Sequence, residues 1–327
     1  MNIIPALVFL VGGLLILWKS AELLVSGAVG LAQRFGVSPL VVGLTVVAMG
    51  TSAPEVAASI AGVLRGAGGG DLAVGNVFGS NIANLALVGG LVALIRPLRV
   101  NAGVLRREIP VMLLSALLLL PMLLDKHLSR QEAILLLVVF AGLLAALIYS
   151  SGKRTAVREE TLIEVTDELE KLEKLASKPL WINVLFVAIG LAGLALGAKM
   201  AVDGAVDIGR RVGLSERVIA LTIIALGTSL PELVTCVVAA VKGHHDISVG
   251  NLVGSNIFNT LLVTGAAGAV RPFDVESRLA GGTDYWIMIA VSAAFTGAAI
   301  AGKRTIGRIG GTLLICAYAY VIYLFTL

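Results

Sequence analysis

Two acidic hexapeptides interrupt otherwise apolar stretches of this 327-residue sequence. Residues 50–55 read GTSAPE and residues 227–232 read GTSLPE, so each brings two hydroxyls, a proline and a glutamate into hydrophobic surroundings. A proline inside a helix lacks an N–H and clashes with the carbonyl four residues earlier. We therefore expect both helices to open at Gly50 and Gly227 and to free the neighbouring carbonyls.

The atoms that these hexapeptides offer are carboxylate, carbonyl and hydroxyl oxygens. Glu55 and Glu232 supply the carboxylates, and carbonyls freed between Ala48 and Thr51, and between residues 225 and 228, add neutral oxygens. Oxygen ligands suit hard cations such as Ca²⁺ or Na⁺. Ionised acids are costly inside a membrane and mark functional sites when they occur there. The residue types therefore predict a hard-cation site.

A second motif follows each hexapeptide. Residues 75–84 read GNVFGSNIAN and residues 250–259 read GNLVGSNIFN. The first Asn, the Ser and the last Asn of each motif are four residues apart and share one helix face. The glycines are also spaced by four, which allows helices to approach closely. Four asparagines fit interhelical hydrogen bonding as well as ion binding, and both interpretations stay open for Asn76, Asn81, Asn251 and Asn256.

The elements that must position these motifs are membrane helices. The chain is 57% hydrophobic and 14% charged, against about 25% charged residues in soluble domains. Recurrent apolar runs long enough to cross a bilayer predict an all-α polytopic membrane protein. The ten predicted transmembrane helices cover approximately residues 3–32, 39–64, 71–95, 107–124, 131–150, 180–209, 216–241, 247–270, 283–301 and 306–326. Asp71 and Asp246, at two helix starts, are predicted N-caps.

An internal repeat organises the chain. Residues 36–55 align without a gap with residues 213–232, and residues 71–90 align with residues 246–265. Each half holds five predicted helices, and an odd number forces the second copy to enter the membrane upside down. Inverted repeats are typical of secondary transporters, whose substrate site lies near the bilayer midplane between the copies.

These patterns define the predicted domains. The first repeat covers residues 1–150 with its motif region at 43–90, and the second covers residues 180–327 with its motif region at 220–265. A charged linker, residues 151–179, joins them and has apolar residues at near-helical spacing, which predicts an amphipathic surface helix. Its clustered acids leave regulatory ion binding open as an alternative to a solvated connector.

The loop charges predict the orientation. Lys and Arg are about twice as frequent in the loops on the linker side as in the opposite loops. The positive-inside rule then places the linker in the cytoplasm and both termini outside the cell membrane. The net charge of +4 gives no indication of nucleic-acid binding.

The paired GTSxPE segments, each followed by GNxxGSNIxN, resemble the α-repeats of the cation/calcium antiporter superfamily. The closest resemblance is to its prokaryotic Na⁺/Ca²⁺ exchanger branch, and it covers both halves. It implies ten helices in two inverted five-helix repeats, with the second, third, seventh and eighth helices as a core. The long first and sixth helices would slide across that core. It also implies antiport of Na⁺ for Ca²⁺ by alternating access, with no enzymatic activity and no cofactor.

The resemblance further implies which residues hold the ions. The carboxylate ligands would be Glu55 and Glu232. The implied backbone-carbonyl and hydroxyl ligands are Ala48, Thr51 and Ser52 in the first half and Ala225, Thr228 and Ser229 in the second. Ser80 and Ser255 would complete the outer sodium positions, and Asn84 and Asn259 would hold the central position. Some relatives carry aspartate at the position of Asn259, so the asparagine here argues against K⁺ cotransport.

Rival functions stay open at this point. Within transport, an H⁺/Ca²⁺ antiporter and a K⁺-dependent Na⁺/Ca²⁺ antiporter are the alternatives. An intramembrane hydrolase with two acids and a channel belong to other classes, but the inverted repeats and broken helices favour a carrier. The predicted partners are Ca²⁺, Na⁺ and the lipid bilayer, with no nucleic acid and no required oligomer.

Overall fold

The computed structural model describes residues 4–152, 179–214, 223 and 225–326. In chain order its α-helices are α1 (Ile4–Phe35), α2 (Pro39–Val42), α3 (Ala48–Thr51), α4 (Ala53–Leu64), α5 (Gly69–Ile82), α6 (Gly89–Ile95), α7 (Ile109–Leu123), α8 (Arg130–Gly152), α9 (Leu180–Arg211), α10 (Ala225–Thr228), α11 (Leu230–Val241), α12 (His245–Phe258), α13 (Thr264–Val270), α14 (Thr283–Ala301) and α15 (Arg308–Thr326). Wider π-helical turns lie at π1 (Gly43–Val47), π2 (Ala83–Val88), π3 (Val104–Glu108) and π4 (Asn259–Val263). Short strands lie at β1 (Leu98–Arg99), β2 (His127–Leu128), β3 (Phe273–Asp274) and β4 (Thr305–Ile306).

Long apolar helices dominate the described residues. Six of them are long and apolar enough to cross a membrane, namely Ile4–Phe35, Gly69–Ile95, Arg130–Tyr149, Leu180–Arg211, His245–Val270 and Thr283–Ala301. A seventh span results if Pro39–Thr51 and Ala53–Leu64, which meet at 42°, are counted together. The prediction of a helical membrane protein is confirmed, whereas the number ten and the inverted arrangement stay predictions.

The predicted helix bounds agree closely with the described elements. The helix predicted for 283–301 has those ends in the structure, and the first helix ends at Phe35 rather than at residue 32. The short strands were not predicted. The amphipathic helix expected in the linker and the start of the helix expected at 216–241 lie outside the described residues and stay predictions.

Two spans form the centre of the protein. In Gly69–Ile95 and His245–Val270, 72% of the residues in the apolar window are buried, against 28% in α1 and in α9. Both central spans carry the GNxxGSN motif. In the second span its small residues let another helix approach, since Gly254 lies against Leu44 and Ala48. In the first span, Cβ atoms added at Gly75 and Gly79 meet nothing within 4 Å among the described residues. The motif-bearing helices are therefore the core, and the longest helices lie at its edge.

The helices α1 and α9 pack against each other along their length. Glycines permit this approach, since a Cβ added at Gly190 would lie 2.8 Å from the backbone nitrogen of Leu24. A Cβ at Gly197 would likewise lie 2.8 Å from the backbone nitrogen of Leu17. Close backbone contact through small residues is the usual basis of helix association in membranes. These two helices thus form one packed pair.

Strand pairs join the two halves of the chain at separate places. β1 pairs with β4 and β2 pairs with β3, both antiparallel. A polar contact adjoins each strand pair: the carboxylate of Asp71 accepts from the backbone N–H of Glu276 at 2.7 Å, and that of Asp246 accepts from Asn101 Nδ2 at 3.0 Å. The prediction that Asp71 and Asp246 are N-caps is therefore wrong. They lie inside the first turns of α5 and α12 and tie loops of the other half to these helices.

An arginine caps the C-terminal end of α11. Arg96, which follows α6, donates from Nη1 to the carbonyls of Ala240 at 3.0 Å and Val241 at 2.9 Å. The last carbonyls of a helix have no partner inside the helix, and a cation there also complements the helix dipole. This contact fixes the end of α11 to the end of a central span from the other half.

Replacement of Gly190 by leucine should destabilise the protein, because the added side chain collides with the backbone of α1. We expect a loss of about 1–3 kcal/mol in the free energy of unfolding, as for other overpacked sites. Thermal unfolding in detergent measures this effect. Gly142→Leu is the matched control, since a Cβ at Gly142 meets nothing within 4 Å among the described residues. Equal melting temperatures for the two variants would contradict the prediction.

Candidate ion-binding site

Both hexapeptides form a break between two helices. Ser52 (φ −86°, ψ 4°) separates α3 from α4, and Ser229 (φ −90°, ψ 3°) separates α10 from α11. Pro54 and Pro231 lie in the first turn of the helix that follows, where a missing N–H does no harm. The breaks are therefore at the serines, two residues later than Gly50 and Gly227, where they were predicted.

The carbonyl of Ala48 is not free, contrary to expectation. It accepts from the backbone N–H of Ser52 at 3.0 Å, and Thr51 Oγ1 lies 3.4 Å away. The turn of helix that ends at Ser52 is therefore still closed. Ala225, the matching residue, begins α10.

The two glutamates lie at equivalent places beside the breaks. Glu55 is in the first turn of α4 and Glu232 is in the first turn of α11, and both are fully buried. The N-terminus of a helix carries partial positive charge and unpaired N–H groups, which stabilise a nearby carboxylate. Each break therefore supplies a buried acid together with a local dipole that stabilises its negative charge.

Side chains from one half reach the other half at this place. Ser52 donates from Oγ to Glu232 Oε1 at 3.2 Å. Thr51 donates from Oγ1 to Asn251 Oδ1 at 3.1 Å, and Asn251 donates from Nδ2 to Cys236 Sγ at 3.3 Å. Residues that are far apart in sequence thus meet in a single polar cluster between the halves.

Three of the four asparagines with open roles connect helices. Asn76 donates to the carbonyl of Glu55 at 3.2 Å and to Ser59 Oγ at 3.0 Å. Asn81 donates to Thr260 Oγ1 at 3.1 Å, and Asn251 makes the contacts described above. Asn256 instead donates to the carbonyl of Leu252 in its own helix at 2.7 Å. Asn76, Asn81 and Asn251 therefore hold the central helices together.

A group of buried polar atoms has no hydrogen-bond partner among the described residues. These atoms are both carboxylate oxygens of Glu55, Oε2 of Glu232, both amide atoms of Asn84 and of Asn259, and the hydroxyls of Ser229 and Ser255. A buried polar atom without a partner costs about 1–3 kcal/mol. Ser80, which is also buried, lies beside the Glu55 carboxylate. Such a concentration of unsatisfied oxygens is typical of a site that binds a ligand.

The remaining residues of the predicted set are close to the breaks. Thr228 is half-buried at the end of α10, whereas Thr51 and Ser52 are buried. Within the described ranges, no three His, Cys, Asp or Glu side chains are grouped so as to hold a metal ion. The chemistry of the cluster is therefore that of two carboxylates surrounded by neutral oxygens.

Wider helical turns at this cluster were not predicted from the sequence. Asn84 lies in π2 and Asn259 begins π4, at matching positions of the two central spans. π turns are rare and occur often at functional sites, because the extra residue per turn re-aims side chains. No residue type marks such a turn, so only the matched spacing of the two motifs pointed to these positions.

Comparison with known proteins assigns the chain to one protein family. The family described as "Sodium/calcium exchanger protein" matches residues 5–149 and 182–327. Inner membrane protein YrbG of Escherichia coli (strain K12) is 40% identical over 290 residues, covering 89% of this chain and 87% of the relative. Sodium/calcium exchanger MaX1 of Methanosarcina acetivorans is 33% identical over 312 residues, covering 86% and 87%.

A solved structure has the same fold. The sodium/calcium exchanger from Methanococcus jannaschii superposes with a TM-score of 0.80 at 27% identity, covering 98% of this chain and 99% of that chain. The apolar helices are those of an integral membrane protein, and the matching family is a family of transporters. The chain belongs to the sodium/calcium exchanger family, within the cation/calcium antiporter superfamily.

The hydrogen bond between Thr51 and Asn251 should couple the two halves energetically. In a double-mutant cycle with Thr51→Val and Asn251→Leu, we expect a coupling of about 0.5–1.5 kcal/mol in the free energy of unfolding, the usual net contribution of one such bond. Denaturant unfolding in detergent measures it. Thr45→Val with Asn251→Leu is the control cycle, because Thr45 bonds to the carbonyl of Val41 in its own helix. Additive effects in the first cycle would contradict the assignment.

Proposed function

We propose that this protein exchanges Na⁺ for Ca²⁺ across the membrane by alternating access at one mid-membrane site. The observation that carries the proposal is the group of buried oxygens without hydrogen-bond partners, drawn from both hexapeptides and both asparagine motifs. In this proposal the chain crosses the membrane ten times in two inverted repeats, and the linker is cytoplasmic. Two similar proteins named as sodium/calcium exchangers, one of them a solved structure of the same fold, support the same activity.

The proposed ligands fall into three groups. Glu55 and Glu232 carry the negative charge that a cation needs. Neutral oxygens come from the backbone of Ala225, from the hydroxyls of Thr51, Ser52, Thr228, Ser229, Ser80 and Ser255, and from the second lone pair of the Ala48 carbonyl, which already accepts the N–H of Ser52. Asn84 and Asn259 occupy the centre, where each offers an amide oxygen. Oxygen-only ligation of this kind suits Ca²⁺ and Na⁺.

Competition for the same carboxylates supplies the coupling. Ca²⁺ and Na⁺ cannot both occupy oxygens that each requires, so binding of one displaces the other. Two uncompensated carboxylates would be costly to carry past an apolar barrier, and a bound cation removes that cost. Movement of the loaded site is therefore favoured over movement of the bare site, which is the requirement for exchange.

The helix pair α1–α9 is the proposed moving part. α9 passes both breaks, because a Cβ at Gly50 would meet the side chain of Leu191 and one at Gly227 would meet Val202. The pair is mostly exposed to the membrane, whereas the central spans are buried. Sliding of the pair would cover one break as it uncovers the other. Gly50 and Gly227 keep the surface beside the site smooth enough for this movement.

Neutralisation of either glutamate should abolish exchange. With Glu55→Gln or Glu232→Gln, we expect Na⁺-driven Ca²⁺ uptake into proteoliposomes to fall to background, because the remaining charge cannot balance a divalent ion. Glu276→Gln is the control, since Glu276 is an exposed acid in a loop outside the site. Retained Na⁺-dependent uptake in either site variant would refute the proposal. Uptake driven by an H⁺ gradient without Na⁺ would favour the H⁺/Ca²⁺ alternative, and Na⁺-driven uptake that requires K⁺ would favour the K⁺-dependent one.

A side chain at Gly50 should slow the exchange without unfolding the protein. We expect Gly50→Ala to lower Na⁺-driven Ca²⁺ flux by about tenfold, within the range for an overpacked contact of 1–3 kcal/mol. Leu191→Ala in the same chain should restore the flux, because it removes the group that the new methyl contacts. Flux assays of the single and the double variant test this expectation, and Gly142→Ala serves as the control. Failure of the second substitution to restore flux would exclude the contact with Leu191 as the cause.

A further inference from the structure

A large groove lies away from the ion site, between α14 and α15. Its volume is about 890 Å³ and it is open on one side. The helix α15 packs on α6, where Gly90 and Gly311 let the backbones approach, and α14 packs on α5 and α7. The remaining small residues of these two helices face outward. A groove is left between the helices on the outer, membrane-facing surface.

The groove is apolar, and small residues form its floor. Ala294 and Gly297 of α14 are exposed, and a Cβ added at Gly297 meets nothing within 4 Å among the described residues. Leu313 of α15 forms a wall and is 65% exposed. From residue 308 to residue 317 the groove follows α15 for about 13 Å, at 1.5 Å per residue. That length is close to the depth of one leaflet of a hydrocarbon core about 30 Å thick.

One end of the groove carries positive charge. Arg308, the first residue of α15, lines the groove there. Lys303 and Arg304 form the turn that joins α14 to β4, and the pairing of β1 with β4 brings Arg99 beside Thr305. No described carboxylate forms an ion pair with any of these four cations. The apolar groove thus ends at a group of cations, none of which forms an ion pair within the described residues.

We propose that the groove between α14 and α15 binds one anionic phospholipid, with an acyl chain along Ala294, Gly297 and Leu313 and the phosphate at Arg308. The groove is in contact with the bilayer, so a lipid reaches it without crossing protein. Basic clusters at the membrane surface strengthen the binding of anionic lipids about fivefold per Lys or Arg. A zwitterionic lipid also offers a phosphate, but its ammonium group would be repelled by the remaining cations. The site is separate from the proposed ion site and needs no assumption about transport.

Native mass spectrometry of the full chain in detergent, titrated with phosphatidylglycerol or phosphatidylcholine, tests the proposal. The wild-type chain should retain one phosphatidylglycerol at least about fivefold more tightly than phosphatidylcholine, as expected for even one cation. Arg308→Gln should reduce that preference about fivefold, the contribution of one cation, and Gly297→Leu should weaken the binding of both lipids by filling the groove. Ala294→Leu fills the same groove and serves if Gly297→Leu folds poorly.

Matched controls separate this site from general lipid attachment. Gly142→Leu adds the same side chain to another membrane-facing helix, and Arg106→Gln removes an exposed cation outside the groove. Neither should change the preference. Equal retention of the two lipids by the wild-type chain, or equal losses in the controls, would overturn the proposal. Displacement of the lipid by inorganic phosphate alone would show a site for a free anion and would also overturn it.

Discussion

The cost of burying charge in a low-dielectric interior governs this structure. Glu55 and Glu232 are fully buried among long helices that are mostly apolar. Such groups persist only where nearby dipoles and ligands compensate them. The serine breaks provide helix N-termini beside each acid, and the breaks in turn require short helices on either side. The central position of the two motif-bearing spans follows, because they have to enclose these polar ends.

The two halves share one plan but do not make identical contacts. Ser52 donates to Glu232, whereas the matching Ser229 hydroxyl has no partner among the described residues and Glu55 has Ser80 beside it instead. A site assembled from two copies need not hold both acids in the same environment at once. Unequal surroundings are useful for a carrier that opens to either side of the membrane. If the two acids exchange their surroundings when the carrier changes sides, the two states differ in structure.

The sequence predicts the fold and the composition of the site better than its geometry. Apolar runs and repeated motifs were sufficient to locate the long helices, and the rarity of buried acids singled out Glu55 and Glu232. The place of the break could not be predicted from proline alone, because Pro54 is equally compatible with starting the next helix. The bond from Thr51 to Asn251 depends on how α3 packs on α12, which no local pattern encodes. The π turns at Asn84 and Asn259 have no characteristic composition.

The two strand pairs limit how the protein can move. β1–β4 and β2–β3 each fasten a loop of the first half to a loop of the second, and Asp246 and Asp71 reinforce the two connections. Four short strands thus oppose rotation of one half against the other. The α1–α9 pair has no strand contact of this kind among the described residues, so the sliding proposed for it would leave both strand pairs intact. Small cross-links in the loops can therefore restrict the relative motion of the two halves.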